Sequence, residues 1–204
     1  MKKVLTGFLT SICLLMINTC FAIDTSNPVN MLQGISDKMI SDLQTHKATL
    51  RSNPSQVYGY ADNLIVPHAD LAEMSKRVLP PRIWEQATPV ERSQFQKEFT
   101  NLLVHTYASA LAEYKDETVR FYPVRGGFQG KATVKVDSTI VRSEGPSIPV
   151  SYRLIYKGSQ WRIYDMVVDG VSLLESFRSQ FADKLSRGTM ADLIHDMSSH
   201  NSGK

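Results

Sequence analysis

Asp165 is the acid in this sequence best placed to do chemistry. It stands in the run WRIYDMVV, from Trp161 to Val168. Strict two-residue alternation puts it on one strand face with Trp161, Ile163 and Val167, and puts Tyr164, Met166 and Val168 on the other. An unpaired carboxylate on an apolar face is costly, so Asp165 must have a partner, water or a task. With Tyr152 or Tyr164 donating a hydrogen bond to a developing oxyanion, it could serve as a general base in a pocket. The competing assignment, and the preferred one, is a structural ion pair with Arg153, Arg162 or Arg178, because such pairs also hold buried acids. Other chemistry is sparse. His46, His68, His105, His195 and His200 are scattered singly, and His105 reads as a surface or helix-contact residue. No Gly-rich phosphate loop, nucleophile elbow or histidine pair at helical ligand spacing occurs.

The start of the chain reads as a secretory leader. Lys2 and Lys3 precede an apolar stretch from Phe8 to Met16, and Cys20 and Ala22 flank a cleavage position after Ala22. The apolar stretch is shorter than the roughly 20 residues that span a bilayer. Cleavage leaves a single domain over residues 23–204 and removes two lysines and no acid, so the formal charge falls from +3 to +1. That balance excludes a nucleic-acid binder, which needs a concentrated basic patch. Cys13 and Cys20 are the two cysteines of the chain, and both leave with the leader. Thiolate catalysis, disulfides and cysteine-bound metals are thereby excluded from the exported protein.

The elements that position these residues follow from period and punctuation. Helical spacing runs from Asn27 to about Leu50, with Pro28 in the first turn. A second helix is expected from Asn53-Pro54 to Val66-Pro67, and a third from His68 until Pro80-Pro81 ends it. Thr88-Pro89-Val90-Glu91 combines an N-cap, a first-turn proline and a capping-box acid, and predicts a long helix to about Tyr114. Beyond Asp116 the period becomes two. Four strands are expected, Val119 to Val124, Ala132 to Val141, Ile148 to Lys157 and Trp161 to Val168, joined by short turns and therefore antiparallel. In the third, Ile148, Val150, Tyr152, Leu154 and Tyr156 share a face opposite Ser151, Arg153 and Lys157. Asp169-Gly170 then turns into a helix carrying Val171, Leu174, Phe177, Phe181 and Leu185 at three- and four-residue spacing. A last short helix begins at Thr189, and the tail is expected to fray from Ser198.

Helices, then antiparallel strands, then helices predict an α+β domain, with a curved sheet of four to five strands packed with about six to seven helices. The strand and helix on either side of Asp169-Gly170 form two apolar walls. They present more apolar surface than one small core demands, which points to a filled cavity.

Two stretches resemble the MlaC, or toluene-tolerance, family. VLPPRIWEQATPVERSQFQKEFTNLLVHTYASALAEY, from Val78 to Tyr114, is similar to its W…ATP…F…F…LL…TY pattern. YRLIYKGSQWRIYDMVVDGVSLLESFRSQF, from Tyr152 to Phe181, is similar to its YRL…W…YD…GVS…R..F pattern. Pro80-Pro81 departs from the glycine usual after leucine in the family, which concerns the local turn. The resemblance implies an NTF2-like cone whose curved sheet and helices enclose an apolar cavity for acyl chains, with the phosphate head group near the mouth. It also implies a periplasmic carrier of phospholipid. Its partners would be an outer-membrane lipoprotein–porin complex and an inner-membrane ABC transporter, with no cofactor and no metal.

On this reading Leu103, Tyr107, Tyr152, Leu154, Tyr164, Met166, Val168, Val171, Leu174 and Phe177 are the expected lipid-binding residues. Val171, at the junction of the two walls, leads them, and Val171→Glu is expected to leave a folded protein without lipid. Arg125, Lys131 and Arg153 are weaker candidates for attracting the head group. Two other functions stay open: an enzyme of the ketosteroid-isomerase type with Asp165 as base, and a protein-binding module with a filled core.

Overall fold

The computed structural model describes residues 23–53 and 55–202. The expected leader and both cysteines lie outside them, as does Pro54. The chain folds as helices α1 (Pro28–Thr45), α2 (Lys47–Ser52) and α3 (Gln56–Leu64), a 3-10 turn (Val66–His68), then α4 (Leu71–Val78), α5 (Pro81–Gln86), α6 (Pro89–Tyr107) and α7 (Ser109–Ala112). Strands β1 (Thr118–Phe121), β2 (Thr133–Val141), β3 (Ile148–Lys157), β4 (Gln160–Val168) and β5 (Val171–Ser172) follow, and α8 (Leu173–Leu185) and α9 (Met190–Ser202) close the chain. This is the α+β architecture expected. The helical segments outnumber the expected six or seven because two long helices are broken. At His46 the backbone leaves the helical region, and its own N–H and ring Nδ1 both lie about the carbonyl of Asp42. Past Ala108 the ladder tightens to three-residue steps, Leu111 N–H donating to Ala108.

Helix starts are set locally. Asn27 accepts from the N–H groups of Val29 and Asn30, and Thr88 and Glu91 form the reciprocal capping box at the head of α6. Thr88→Ala should therefore lower stability by about 1 kcal/mol, read as a shifted denaturant midpoint with an unchanged slope. Thr189 and Asp192 exchange hydrogen bonds in the same way at the head of α9. That helix continues through Ser202 instead of fraying from Ser198. Met197 is buried against the core, and Asn201 Nδ2 donates to the backbone and carboxylate of Glu98.

The sheet is antiparallel throughout, in the order β1-β2-β3-β4-β5. Val171, expected in the stripe of the helix after Asp169-Gly170, instead pairs with Val168, and with Ser172 opposite Val167 it forms β5. Asp169 and Gly170 both take positive φ, 49° and 82°, as a two-residue hairpin turn of this twist requires. The free edge of β4 is covered by loop backbone: Trp161 N–H donates to Thr25 and Asp70 N–H donates to Ile163.

One irregularity changes the reading of the strand. Ile163 faces Leu154 and Asp165 faces Arg153, so Tyr164 is an extra residue and β4 carries a bulge. Alternation therefore slips by one. Trp161, Ile163, Met166 and Val168 share the face of Val150, Tyr152 and Leu154, whereas Asp165 lies with Arg153 on the opposite face. The expected company of Asp165 with Trp161 and Ile163, and of Tyr164 with Met166 and Val168, does not occur.

Three apolar clusters hold the fold. The first joins α4, α6, α8 and α9 through Phe95, Phe99, Phe177 and Phe181, whose rings pack at 5.4 to 5.7 Å. In the second, Met31, Leu32 and Ile35 of α1 meet Val134, Val136, Leu154 and Trp161 of the sheet. The third gathers Met39 and Leu43 of α1 with Leu50, Val57, Ala61, Val104 and Ala108.

Candidate functional site

The second and third clusters show that α1 parts company with the sheet. Its first half seals the end of the sheet face where Val136 and Leu154 are completely buried. Its second half, Met39 and Leu43, turns instead toward α3 and α6. At the other end of the same face, Ile140, Ile148, Tyr152, Met166 and Val168 are only half-buried, although Val150 among them is buried. Val171, the register partner of Val168, is 59% exposed. An apolar row that is sealed at one end and increasingly bare at the other is the form of a pocket wall with a mouth.

A cleft of about 540 Å³, within the roughly 300–1,000 Å³ of small-molecule sites, lies beside the β2–β3 hairpin at this end of the sheet, and its wall is built by other residues than the row. Leu43, Leu50, Leu111 and Tyr114 supply apolar lining, and Lys47, Lys115, Asp116, Ser143 and Glu144 complete the wall. Ser143 Oγ donates to Asp116 Oδ1 at 2.9 Å, joining the β2–β3 hairpin to the segment after α7.

Two of the expected lining tyrosines are held neutral. Burial pushes the Tyr152 phenol above its ordinary value, against an opposing hydrogen bond with Ser138, and Ser138 Oγ donates to the Val150 carbonyl at 3.2 Å. Tyr107 is raised likewise by burial. Both phenols therefore stay neutral through the physiological range and present rings, not charges.

Asp165 is saturated. It is 1% exposed, and four donors converge on its carboxylate: Arg153 Nη1 at 3.0 Å and Ser172 Oγ at 2.8 Å on Oδ2, with the N–H groups of Met166 at 2.8 Å and Leu174 at 3.1 Å on Oδ1. Ser172 in turn accepts from Glu175 N–H and so caps α8. This carboxylate locks the bulge of β4 to the start of α8. With its acceptor sites taken, and facing away from the apolar row, it is not placed to abstract a proton from a ligand there. Of the three arginines expected as partners, Arg153 is the one that pairs; Arg162 bonds Pro67 and Gln160, and Arg178 lies 3.8 Å from Glu175.

The ten expected lining residues do not share one surface. Tyr152, Met166 and Val168 form the open row with Val171, while Leu154 lies at its sealed end. Leu103, Tyr107, Tyr164, Leu174 and Phe177 belong to the aromatic cluster around α6 and α8, where the Arg77 guanidinium sits 4.5 Å over the Tyr164 ring. The head-group candidates are displaced. Arg125 and Lys131 lie in the loop between β1 and β2, at the sealed end of the sheet, and Lys131 Nζ bonds the Gly126 carbonyl at 3.0 Å. His105, expected at the surface or a helix contact, packs against the Tyr58 ring of α3 with centroids 4.5 Å apart and the planes tilted by 38°.

The profile of the MlaC protein family matches residues 33–199. The chain belongs to the MlaC family. Among its relatives, the toluene tolerance protein ttg2D of Pseudomonas putida is 29% identical over 160 residues, covering 78% of this chain and 74% of that protein. The intermembrane phospholipid transport system binding protein MlaC of Haemophilus influenzae is 26% identical over 198 residues, covering 95% and 87%. A solved structure, the phospholipid-binding protein from Ralstonia solanacearum in complex with a phospholipid, superposes with a TM-score of 0.69 at 31% identity and covers 84% of this chain and 97% of that one.

For this MlaC-family chain, sequence reasoning missed the helical side and the rim of the cleft. Leu43, Leu50, Leu111 and Tyr114 carry no signal beyond helical spacing, and Lys47, Lys115, Asp116 and Glu144 none beyond their charge. What unites them is tertiary: α1, α2, α7 and the β2–β3 hairpin meet at one end of the sheet. Among the described residues no group of three or more His, Cys, Asp or Glu could hold a metal ion, and no helix is long and apolar enough to cross a membrane.

Proposed function

We propose that this protein is a periplasmic carrier that binds glycerophospholipid and moves it between an outer-membrane lipoprotein–porin complex and an inner-membrane ABC transporter. The observation that carries the reading is the phospholipid complex of the Ralstonia solanacearum relative, which this chain matches over nearly all of that protein's length. The name of the Haemophilus influenzae relative, a binding protein of an intermembrane phospholipid transport system, supports the setting. The expected leader, ending at Ala22, accords with export.

The site's physics suits the task. Each methylene removed from water gains about 0.8 kcal/mol, so free lipid does not cross an aqueous gap, and a pocket that replaces bilayer with protein makes transfer nearly neutral. Acyl chains lie along Tyr152, Met166, Val168 and Val171, opposite Leu43, Leu50, Leu111 and Tyr114. Leu154 closes the inner end. Leu103, Tyr107, Leu174 and Phe177 back the helical wall, and the exposed Val171 is the lip that lipid covers. No catalytic step is assigned, since both buried acids among the described residues are committed to structure, Asp165 to the bulge and the start of α8 and Asp70 to the cap of α4 and to Lys157.

Native mass spectrometry of protein purified without detergent, followed by organic extraction, tests the reading. Phospholipid at about one molecule per protein or more is expected. A protein that is lipid-free after purification and takes up none from vesicles would be a filled-core binding module instead.

A further inference from the structure

The wall of the cleft carries both signs of charge. Lys47 and Lys115 stand with Asp116 and Glu144 around one opening, and Glu117 lies close enough to Lys115 to feel its charge. Lys47 and Glu144 make no hydrogen bond or ion pair among the described residues. Asp116 uses Oδ1 to hold Ser143, which leaves Oδ2 toward solvent. The charged residues of this wall sum to zero, so a head group with net negative charge gains no overall attraction there. A head group that holds a phosphate and an ammonium a few atoms apart finds a partner for each.

We propose, resting on the carrier reading above, that this rim selects zwitterionic phospholipid bearing a primary ammonium, the phosphate lying toward Lys47 and Lys115 and the ammonium toward Asp116 and Glu144. The shape of the cleft fits this order. Leu43, Leu50, Leu111 and Tyr114 line the same cleft as these charges, and the glycerol end of the chains would rest on them. The acids also act against the alternative. A phosphatidylglycerol head group brings the same single phosphate charge but no ammonium, so it leaves Asp116 and Glu144 without a partner.

The test is loading from vesicles of equimolar phosphatidylethanolamine and phosphatidylglycerol with matched acyl chains. Lipid bound to the re-isolated full chain is extracted and quantified by mass spectrometry. The wild type is expected to carry phosphatidylethanolamine enriched about threefold over the vesicle ratio, the scale of two exposed charge contacts. Asp116→Lys with Glu144→Lys should invert the preference, read as the ratio of phosphatidylethanolamine to phosphatidylglycerol in the lipid that is bound. Because Asp116 also holds the hairpin, Glu144→Lys alone is run beside it and should at least erase the enrichment. Wild-type uptake at the vesicle ratio, or variants that keep the wild-type ratio, would overturn the proposal while leaving the carrier reading intact. Absence of any uptake by the wild type would overturn both.

Discussion

Val171→Glu is expected to give a protein that folds as the wild type does and carries little or no phospholipid. Val171 is 59% exposed, so a glutamate there stays hydrated in the lipid-free state and costs the fold almost nothing. Its place in the register decides the rest. Paired with Val168, it continues the apolar row of Tyr152 and Met166 to the lip of the pocket. A chain lying on that row would cover the new carboxylate and strip its water, at about 2 kcal/mol or more, which is about 30-fold in affinity. Val90 provides the control, being 65% exposed at the head of α6 and no part of the apolar row of the sheet. Val90→Glu should keep full lipid occupancy by native mass spectrometry. Equal occupancy in the two variants would remove Val171 from the site.

Asp165→Asn is expected to act in the opposite sense, lowering stability while leaving bound lipid in place. The amide keeps the size of the carboxylate but turns one acceptor into a donor that faces N–H or O–H groups. At least one of the bonds from Ser172, Leu174 and Met166 is then lost in a buried setting. The ion pair to Arg153 goes too, although Arg153 is 44% exposed and rehydrates readily. Together these amount to about 3 kcal/mol, or a fall of about 6–12 °C in melting temperature for a domain of this size. Arg153→Ala should cost less than about 1 kcal/mol, because its loss leaves Ser172 and both backbone donors on the carboxylate. Calorimetry on the three proteins orders them. Equal losses from both variants would mean that the ion pair, not the cap on α8, holds the junction.

What could be read in advance divides along local and non-local lines. Helix starts at Asn27, Thr88 and Thr189 were legible because a cap and its partner lie within three residues of each other. Strand order followed from short turns. The bulge at Tyr164 was not legible, since WRIYDMVV alternates plausibly in either register and the extra residue is revealed only by the Arg153–Asp165 and Leu154–Ile163 pairs. That single slip moves Asp165 from an apolar face to a polar junction, where it makes the preferred ion pair, with Arg153. Val171 is legible as a boundary but not as a strand, because a two-residue strand leaves no period to detect. The rim escaped for a different reason: Lys47 and Glu144 are far apart in the chain and meet only through the fold.

The claim at the centre of this account is that lipid lies on the open end of the sheet face beneath Val171. Paramagnetic broadening measures that position directly. Methyl-labelled protein is loaded with a phospholipid that carries a nitroxide midway along one acyl chain, and methyl signals are compared before and after reduction of the label. Strong broadening at Met166, Val168 and Leu111, with Leu193 of the α9 contact spared, is the result predicted. Broadening centred on Leu174 and Leu193 in the aromatic cluster, with Val168 and Leu111 untouched, would contradict it.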